Sequence, residues 1–473
     1  MTEFKLELLK PGAHVHFIGI GGISMSALAE ILTNSRFIIS GSDMKESSLT
    51  DKLKKLGVTI MVGHSEQNIN GADLIVYTAA VKQSNPEIQA GKRLGIPIIE
   101  RPVLLGEIMK KYAHAVAVAG THGKTTTTSM ISSIMLHSNL DPTVLVGGEL
   151  DAIGGNVHTG SSSYFITEAC EYVESFLQFH PTVAVILNVE ADHLDYFKDL
   201  NHIIQAFKKF VKLVPDDGYV IACGDDENVL KAIDGLTCKI VTYGIKQGEY
   251  TWKAANIYFD SFGFPHFDII YNNRKLSNIT LNVPGIHNVY NALAAAACTY
   301  NLGVDIQCIT DGLSSFKGTH RRFEVKGKAN GIVIIDDYAH HPTEIKATLA
   351  AASKLPYNKL WCVFQPHTYT RTFALLKEFS SAFSDADHVI ITDIYAAREL
   401  NDGKIHSKDL VGKLLENGCN AQYFSDFHDI ADFLAHKAEE GDLVITMGAG
   451  DIYQVGEIIL EKCTSDKIFP AMV

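Results

Sequence analysis

Ala115-Val116-Ala117-Val118-Ala119-Gly120-Thr121-His122-Gly123-Lys124-Thr125-Thr126-Thr127 is the stretch from which the rest of the chain is read. An apolar run of strand character stops at Gly120, two glycines bracket Thr121 and His122, and Lys124 and Thr125 open a helical pattern. Glycines let the backbone turn tightly enough to aim N–H groups at phosphate oxygens. The following helix points its N-terminal partial positive charge at the same place. Lys124 is placed to reach the β- and γ-phosphates of a nucleotide, and the Thr125 hydroxyl to ligate magnesium. The strict P-loop pattern has a further glycine where this chain has Val118, so the cradle is a shortened Gly-x-x-Gly-Lys-Thr-Thr. A glycine turn that serves packing alone has no need of Gly-Lys-Thr at the strand-to-helix junction.

The chain around this cradle has 473 residues, enough for roughly three domains of about 150 residues. Hydrophobic residues make up 46% and charged residues 20%, the balance of a soluble globular protein. The net charge of −13 argues against nucleic acid as a partner, since a phosphate backbone needs a basic surface. The eight cysteines are scattered without a C-x-x-C pair, which fits a reduced, cytoplasmic protein. Met1 to Gly12 carries no apolar leader segment, and no apolar stretch is long enough for membrane insertion. The oligomeric state is left open.

Upstream, residues 1–112 read as a Rossmann-like domain of alternating strands and helices. Val15-His16-Phe17-Ile18 is a buried strand running into Gly19-Ile20-Gly21-Gly22-Ile23-Ser24 and then a helix. The next strand ends near Asp43, an acid spaced to bond a ribose hydroxyl. Ser24 replaces the third glycine of the dinucleotide fingerprint, so the turn is read as a nucleotide-diphosphate site formed by Gly19, Gly21 and Gly22.

Downstream, residues 113–317 form the cradle's own domain. Met130, Ile131, Ile134 and Met135 give its helix an apolar face. A strand from Tyr164 ends in Glu168, and another from Val183 to Leu187 runs into Asn188-Val189-Glu190-Ala191-Asp192-His193. Strand ends in open α/β sheets gather at the ligand crevice, so Glu168 and His193 are candidate metal ligands, with a hydrogen-bonding loop residue the even alternative for His193. Asn288 is placed at a helix start, as an N-cap or a ligand contact. Trp252 to Leu281 alternates like antiparallel strands. In residues 318–473, polar residues again follow apolar strands: Asp336-Asp337-Tyr338-Ala339-His340-His341-Pro342, and Gln365-Pro366-His367-Thr368-Tyr369-Thr370-Arg371.

Taken together these motifs resemble the Mur ligase family, and the resemblance runs along nearly the whole chain. It rests on Gly19 to Gly22, Ala119 to Thr127, Glu168-Ala169-Cys170-Glu171, Asn188 to His193, Gly285-Ile286-His287-Asn288, His320-Arg321-Arg322-Phe323-Glu324, Asp336 to Pro342 and Gln365 to Arg371. It implies three α/β domains: a UDP-sugar-binding domain, a central ATP-binding domain of P-loop ATPase type, and a C-terminal Rossmann-like domain for the amino acid and nucleotide. Gly120, Thr121, His122, Gly123, Lys124, Thr125 and Thr126 would bind ATP phosphates, with Thr125, Glu168 and His193 holding Mg2+. Asn288, Arg322 and Asp337 would contact the nucleotide or its phosphates, and His340 and Arg371 the amino acid. Many family members carry an arginine where this chain has Thr368 and an aspartate where it has Cys170. Arg371 would therefore carry most of the grip on a substrate carboxylate, helped by the Thr368 hydroxyl and His340.

The branch most resembled joins L-alanine to the lactyl carboxylate of UDP-N-acetylmuramate through an acyl phosphate, in peptidoglycan precursor synthesis. Both reactants of the phosphorylation step are anions, so Lys124, the helix N-terminus and the metal would screen their repulsion. A ligase that recycles a murein peptide is the alternative within the family. Outside it, an NAD-dependent dehydrogenase would use the first glycine turn but leave Lys124 and Thr125 unexplained. An ATP-dependent switch would turn over nucleotide without any UDP-sugar.

Overall fold

A computed structural model describes residues 5–465 except 11, 261, 262 and 398. The first four residues of the leader-free N-terminal stretch lie outside the described residues. By compactness the chain divides into two units. One comprises Met1–Val189, Ile203–Trp252 and Ala294–Gly312, and the other Glu190–His202, Lys253–Leu293 and Leu313–Val473.

The first unit holds two parallel sheets. Strands β1 (His14–Ile18), β2 (Ile38–Asp43), β3 (Thr59–Val62), β4 (Leu74–Tyr77) and β5 (Ile98–Glu100) form an all-parallel sheet in the order β3-β2-β1-β4-β5. The chain reverses its winding beside β1, and at such a switch point the carboxyl ends of the strands open a crevice. The helix Ile23–Asn34 begins there, directly after Gly22.

Strands β6 (His114–Ala119), β7 (Thr143–Leu150), β8 (Gly155–His158), β9 (Tyr164–Ala169), β10 (Val183–Ile186), β11 (Tyr219–Cys223) and β12 (Lys239–Gly244) follow in the order β12-β11-β10-β6-β9-β7-β8. Only β8, paired with β7, runs antiparallel among these. Ala115 to Ala119 are fully buried in the central strand β6, which explains their unbroken apolar run. The helix Lys124–His137 buries Met130, Ile131, Ile134 and Met135 as its spacing predicts. The β7–β8 hairpin was not legible in sequence, because Gly147, Gly148, Gly154 and Gly155 interrupt its alternation.

Strands β13 (Trp252–Phe259), β14 (Pro265–Tyr271) and β15 (Arg274–Thr280) form the expected excursion, with β14 and β15 antiparallel. The last sheet, in the second unit, contains β16 (Glu324–Ala329), β17 (Ile332–Asp337), β18 (Leu360–Phe364), β19 (His388–Ile391), β20 (Ala421–Tyr423) and β21 (Leu443–Met447). Its order is β16-β17-β21-β18-β19-β20, parallel except for the β16–β17 pair. Two apolar layers flank it, one around Phe364, Phe379 and Phe383, the other around Ile334, Val363 and Val444. β16 is an edge strand carrying Glu324, Lys326 and Lys328, charges that discourage further pairing and that hid it from a hydrophobic reading.

Candidate active site

In the first unit, the cradle sits between the carboxyl ends of three strands. Ala119 of β6 lies level with Ala169 of β9 on one side and Ile186 of β10 on the other. Gly120 (φ +150°) and Gly123 (φ +83°) adopt backbone conformations that side chains resist. A Cβ on Gly120 would lie 2.9 Å from the Leu187 Cβ and 3.2 Å from the Asn188 nitrogen. Asn188 braces the turn: its Oδ1 accepts from the His122 N–H at 2.8 Å, its Nδ2 donates to the His122 carbonyl at 3.0 Å, and its own carbonyl accepts from Thr121 at 3.1 Å. Sequence reasoning had assigned Asn188 no role, although it opens the quoted Asn188 to His193 motif.

Lys124 folds back over the turn. Its Nζ donates to the carbonyls of Gly120 and Thr121, the latter at 3.0 Å, and pairs with Glu171 at 3.1 Å. Burial alone would drive the ammonium toward neutrality, but Glu171, Cys170 and Glu168 outweigh it and raise the Lys124 pKa. The lysine is thus kept charged where phosphate oxygens would replace the turn carbonyls as its acceptors. The Thr125 Oγ1 donates to Glu168 Oε2 at 3.0 Å, and Gly147 N–H donates to Glu168 Oε1 at 2.5 Å. A hydroxyl and a carboxylate, both hard oxygen donors and already adjacent, fit a magnesium ion. Thr126 completes the first helical turn, whose N–H groups have no intrahelical acceptors.

The other glycine turn of this unit is built differently. Gly19 (φ +82°) and Ile20 donate their N–H groups to the Ser42 carbonyl, and Gly21 N–H donates to Asp43 Oδ2 at 2.8 Å. Asp43 therefore spends one oxygen on fixing the turn, which leaves the other for the ribose hydroxyl anticipated from sequence. Gly22 is the N-cap of the helix Ile23–Asn34.

In the second unit the candidate residues are more deeply tied to one another. Asp337 ends β17, and its carboxylate accepts from the N–H groups of Phe323 and Ala339, both at 2.7 Å. Burial pushes its pKa up to about 6, against the pull of Arg322 and of those two N–H groups. The Arg322 guanidinium lies 5.0 Å over the Tyr338 ring. Arg321, which had been given no part, donates to Asp336 at 3.0 Å and to the carbonyls of Gly450 and Gly448 at 2.9 and 2.7 Å. It locks the Arg321–Phe323 stretch, where Arg321 and Phe323 both have positive φ. Asn288 is not an N-cap: it lies inside the helix Ile286–Asn301, donates to the Pro284 carbonyl at 2.7 Å and accepts from Asn291 at 3.0 Å.

Arg371 is not held open for a ligand. Its Nε and Nη2 donate to the two oxygens of Asp192 at 3.1 and 3.3 Å, and Nη1 lies 3.2 Å from His367 Nδ1. Burial opposes ionisation of Asp192, but Arg371, His193, His340 and His341 hold its pKa well below the usual carboxylate range. The Thr368 hydroxyl accepts from the Arg371 N–H at 3.4 Å as the N-cap of Tyr369–Ala374, so it serves the backbone rather than standing beside the guanidinium. His340 is buried, which pushes its pKa down to about 3. Its Nδ1 faces the Tyr338 carbonyl at 2.9 Å, so the neutral ring carries its proton there and offers a lone pair at Nε2. His193 (φ +52°) donates its N–H to Asp192 at 2.7 Å.

Family models cover the chain in three consecutive pieces: a Mur ligase family catalytic domain over residues 14–113, a middle domain over 118–299 and a glutamate ligase domain over 321–450. The chain belongs to the Mur ligase family. Among Mur ligases, the UDP-N-acetylmuramate–L-alanine ligase of Acetivibrio thermocellus is 60% identical over 459 residues, 97% of this chain and 98% of the relative. The enzyme of the same name from Alkaliphilus metalliredigens is 56% identical over 449 residues, 95% of this chain and 97% of the relative. The crystal structure of UDP-N-acetylmuramate-alanine ligase from Thermotoga maritima superposes with a TM-score of 0.81 at 31% identity, covering 96% of this chain and all of that one. A murein peptide ligase from Psychrobacter arcticus superposes with a TM-score of 0.73 at 28% identity, covering 98% and 100%. The Mur ligase architecture of three sheet-containing domains, expected from the motifs, is therefore the one this chain adopts.

Proposed function

We infer that this chain is an ATP-dependent ligase that joins L-alanine to the lactyl carboxylate of UDP-N-acetylmuramate, releasing ADP and phosphate, in peptidoglycan precursor synthesis. The observation that carries the reading is end-to-end identity of 60% with a relative of that name. The Lys124 cradle supports the same chemistry. ATP phosphorylates the carboxylate, the alanine amine attacks the acyl phosphate, and the tetrahedral oxyanion collapses with loss of phosphate. Lys124 and the first turn of Lys124–His137 offset the charge of the transferring phosphoryl group. Thr125 and Glu168 would hold magnesium, which when bound supplies charge stabilisation on the phosphate oxygens. His193 is proposed as a nitrogen ligand to the metal, testable by whether His193→Ala shifts the manganese titration more than the ATP affinity.

The UDP moiety is assigned to the Gly19, Gly21 and Gly22 turn with Asp43 at the ribose. Arg322, Asp337 and Asn288 are assigned to the nucleotide side. Arg371 and the His340 Nε2 are assigned to alanine, with Arg371 presented in a fixed orientation by Asp192. Among the described residues no helix is long and apolar enough to cross a membrane, and a cytoplasmic location is proposed. Phosphate release measured with UDP-N-acetylmuramate, magnesium and ATP, across L-alanine, glycine, L-serine and a tripeptide, tests the reading. A preference for the tripeptide would assign the murein peptide ligase activity instead, and turnover without any UDP-sugar would remove both.

A further inference from the structure

Arg101 opens the helix Arg101–Met109, directly after β5, and it has no counter-ion. Its Nη1 donates to the Ser24 Oγ at 2.9 Å, and no carboxylate stands within ion-pairing distance of it among the described residues. Burial draws its pKa below the ordinary arginine range, and only Cys170 opposes that shift. A guanidinium has five N–H donors and stays charged in proteins. Withdrawing such a charge from water without a partner costs several kcal/mol in general, so its counter-charge is expected from a ligand. Other part-buried cations in the same unit have partners: Lys124 has Glu171, Lys110 has Glu107 and Lys52 has Glu30.

Ser24 fixes where that ligand lies. It is the second residue of Ile23–Asn34, one turn into the helix that Gly22 caps. The bond to Ser24 therefore holds the guanidinium beside the N-terminus of that helix and beside the glycine turn. Gly22 and Ile23 are both solvent-exposed, so the place is open to a ligand. Two positive features, the helix N-terminus and the Arg101 fork, meet at one spot. The fork matches the geometry of paired phosphate oxygens.

We propose that Arg101 binds the diphosphate of the UDP-sugar and is its principal side-chain cation, anchored by Ser24. The inference rests on the UDP-sugar assignment made above and adds a residue that the motifs did not single out. It also accounts for Ser24 standing where a dinucleotide fingerprint has a glycine: the hydroxyl is there to orient the arginine.

The test uses the full chain, with binding of UDP, UDP-N-acetylglucosamine, UDP-N-acetylmuramate and uridine measured by calorimetry without ATP. Arg101→Ala should weaken the three diphosphate ligands alike, by about ten- to a hundred-fold for a charged hydrogen bond. Uridine binding should not change, and the KM for ATP should stay within about twofold. Arg101→Lys should restore part of the loss, because it keeps the charge and gives up the fork. Should Arg101→Ala fold poorly, Ser24→Ala keeps the cation and removes its anchor, and a several-fold loss on the diphosphate ligands alone is expected. A loss confined to UDP-N-acetylmuramate would place Arg101 at the lactyl carboxylate and overturn the proposal, as would unchanged UDP affinity or a raised KM for ATP alone. Ligation by the wild type is read separately. A wild type that binds the UDP-sugar but does not ligate L-alanine overturns the proposed function and leaves the Arg101 comparison readable.

Discussion

The cradle of the first unit and the Asp337–Arg371 region of the second handle charge in opposite ways. Around the cradle, acids accompany the cation: Lys124 has Glu171 as its partner and Glu168 nearby, and its pKa is raised. Around β17 and β18, burial wins over the neighbours. Asp337 is pushed up to about 6, His287 down to about 4 and His340 down to about 3. Arg371 and Asp192 are the exception there, a pair in which each keeps the other ionised. A phosphate site must present permanent positive charge against a triply charged group. A site for a free amino acid has to present neutral acceptors to an amine and a fork to a carboxylate. The contrast follows that division of labour.

Breaking the Asp192–Arg371 pair should have the largest effect. Both side chains are 10% exposed, and removing one partner of a buried pair costs about 3–5 kcal/mol. Asp192→Ala is expected to lower the thermal unfolding midpoint by roughly 10 °C, as followed by calorimetry. An unchanged midpoint would mean that water replaces the carboxylate. Next comes Lys124→Ala, which should remove about 3 kcal/mol of transition-state stabilisation, or on the order of a hundred-fold in kcat. Calorimetric binding of UDP-N-acetylmuramate should be untouched, and near-normal turnover would end the phosphate reading.

Arg371→Lys keeps charge and loses geometry. Its KM for L-alanine should rise by about ten-fold or more, with those for ATP and the UDP-sugar little changed in steady-state kinetics. A rise for ATP alone would move Arg371 to the phosphate side. The smallest effect concerns Asp337. Its folded-state pKa of about 6 stands above the model value of 3.8, so the protonated form favours the fold. That contribution is fully present below about pH 4 and is lost as the pH rises through 6, an amount on the order of 1–3 kcal/mol. The thermal midpoint of Asp337→Asn relative to wild type should therefore climb between pH 4 and 7. A flat difference would show that Asp337 ionises like an exposed carboxylate.

Legibility differed between the same two regions. The cradle was readable because its chemistry is local: a buried strand, two glycines, a lysine and a helix start follow one another in the chain. The partners were not. Glu171 stands 47 residues from Lys124, and Asp192 stands 179 from Arg371. No periodicity connects such positions. The Thr368 hydroxyl and the Asn288 amide were read as ligand-facing or capping groups because their types fit those roles. In the folded chain, helix-end geometry uses the first, and the turn at Pro284 uses the second.

The sequence by itself determined the alternating strands and helices, the phosphate turn, and the family to which the chain belongs. Those properties are written in short windows, in hydrophobic period and in residue types that only one local conformation tolerates. Tertiary structure decided which charges are paired, which are neutralised and which are left without a partner. Lys124 keeps its proton, His340 loses its own, and Arg101 is held by Ser24 without a carboxylate. The physical reason is that ionisation depends on burial and on charges a few ångströms away, and folding brings those neighbours from distant parts of the chain.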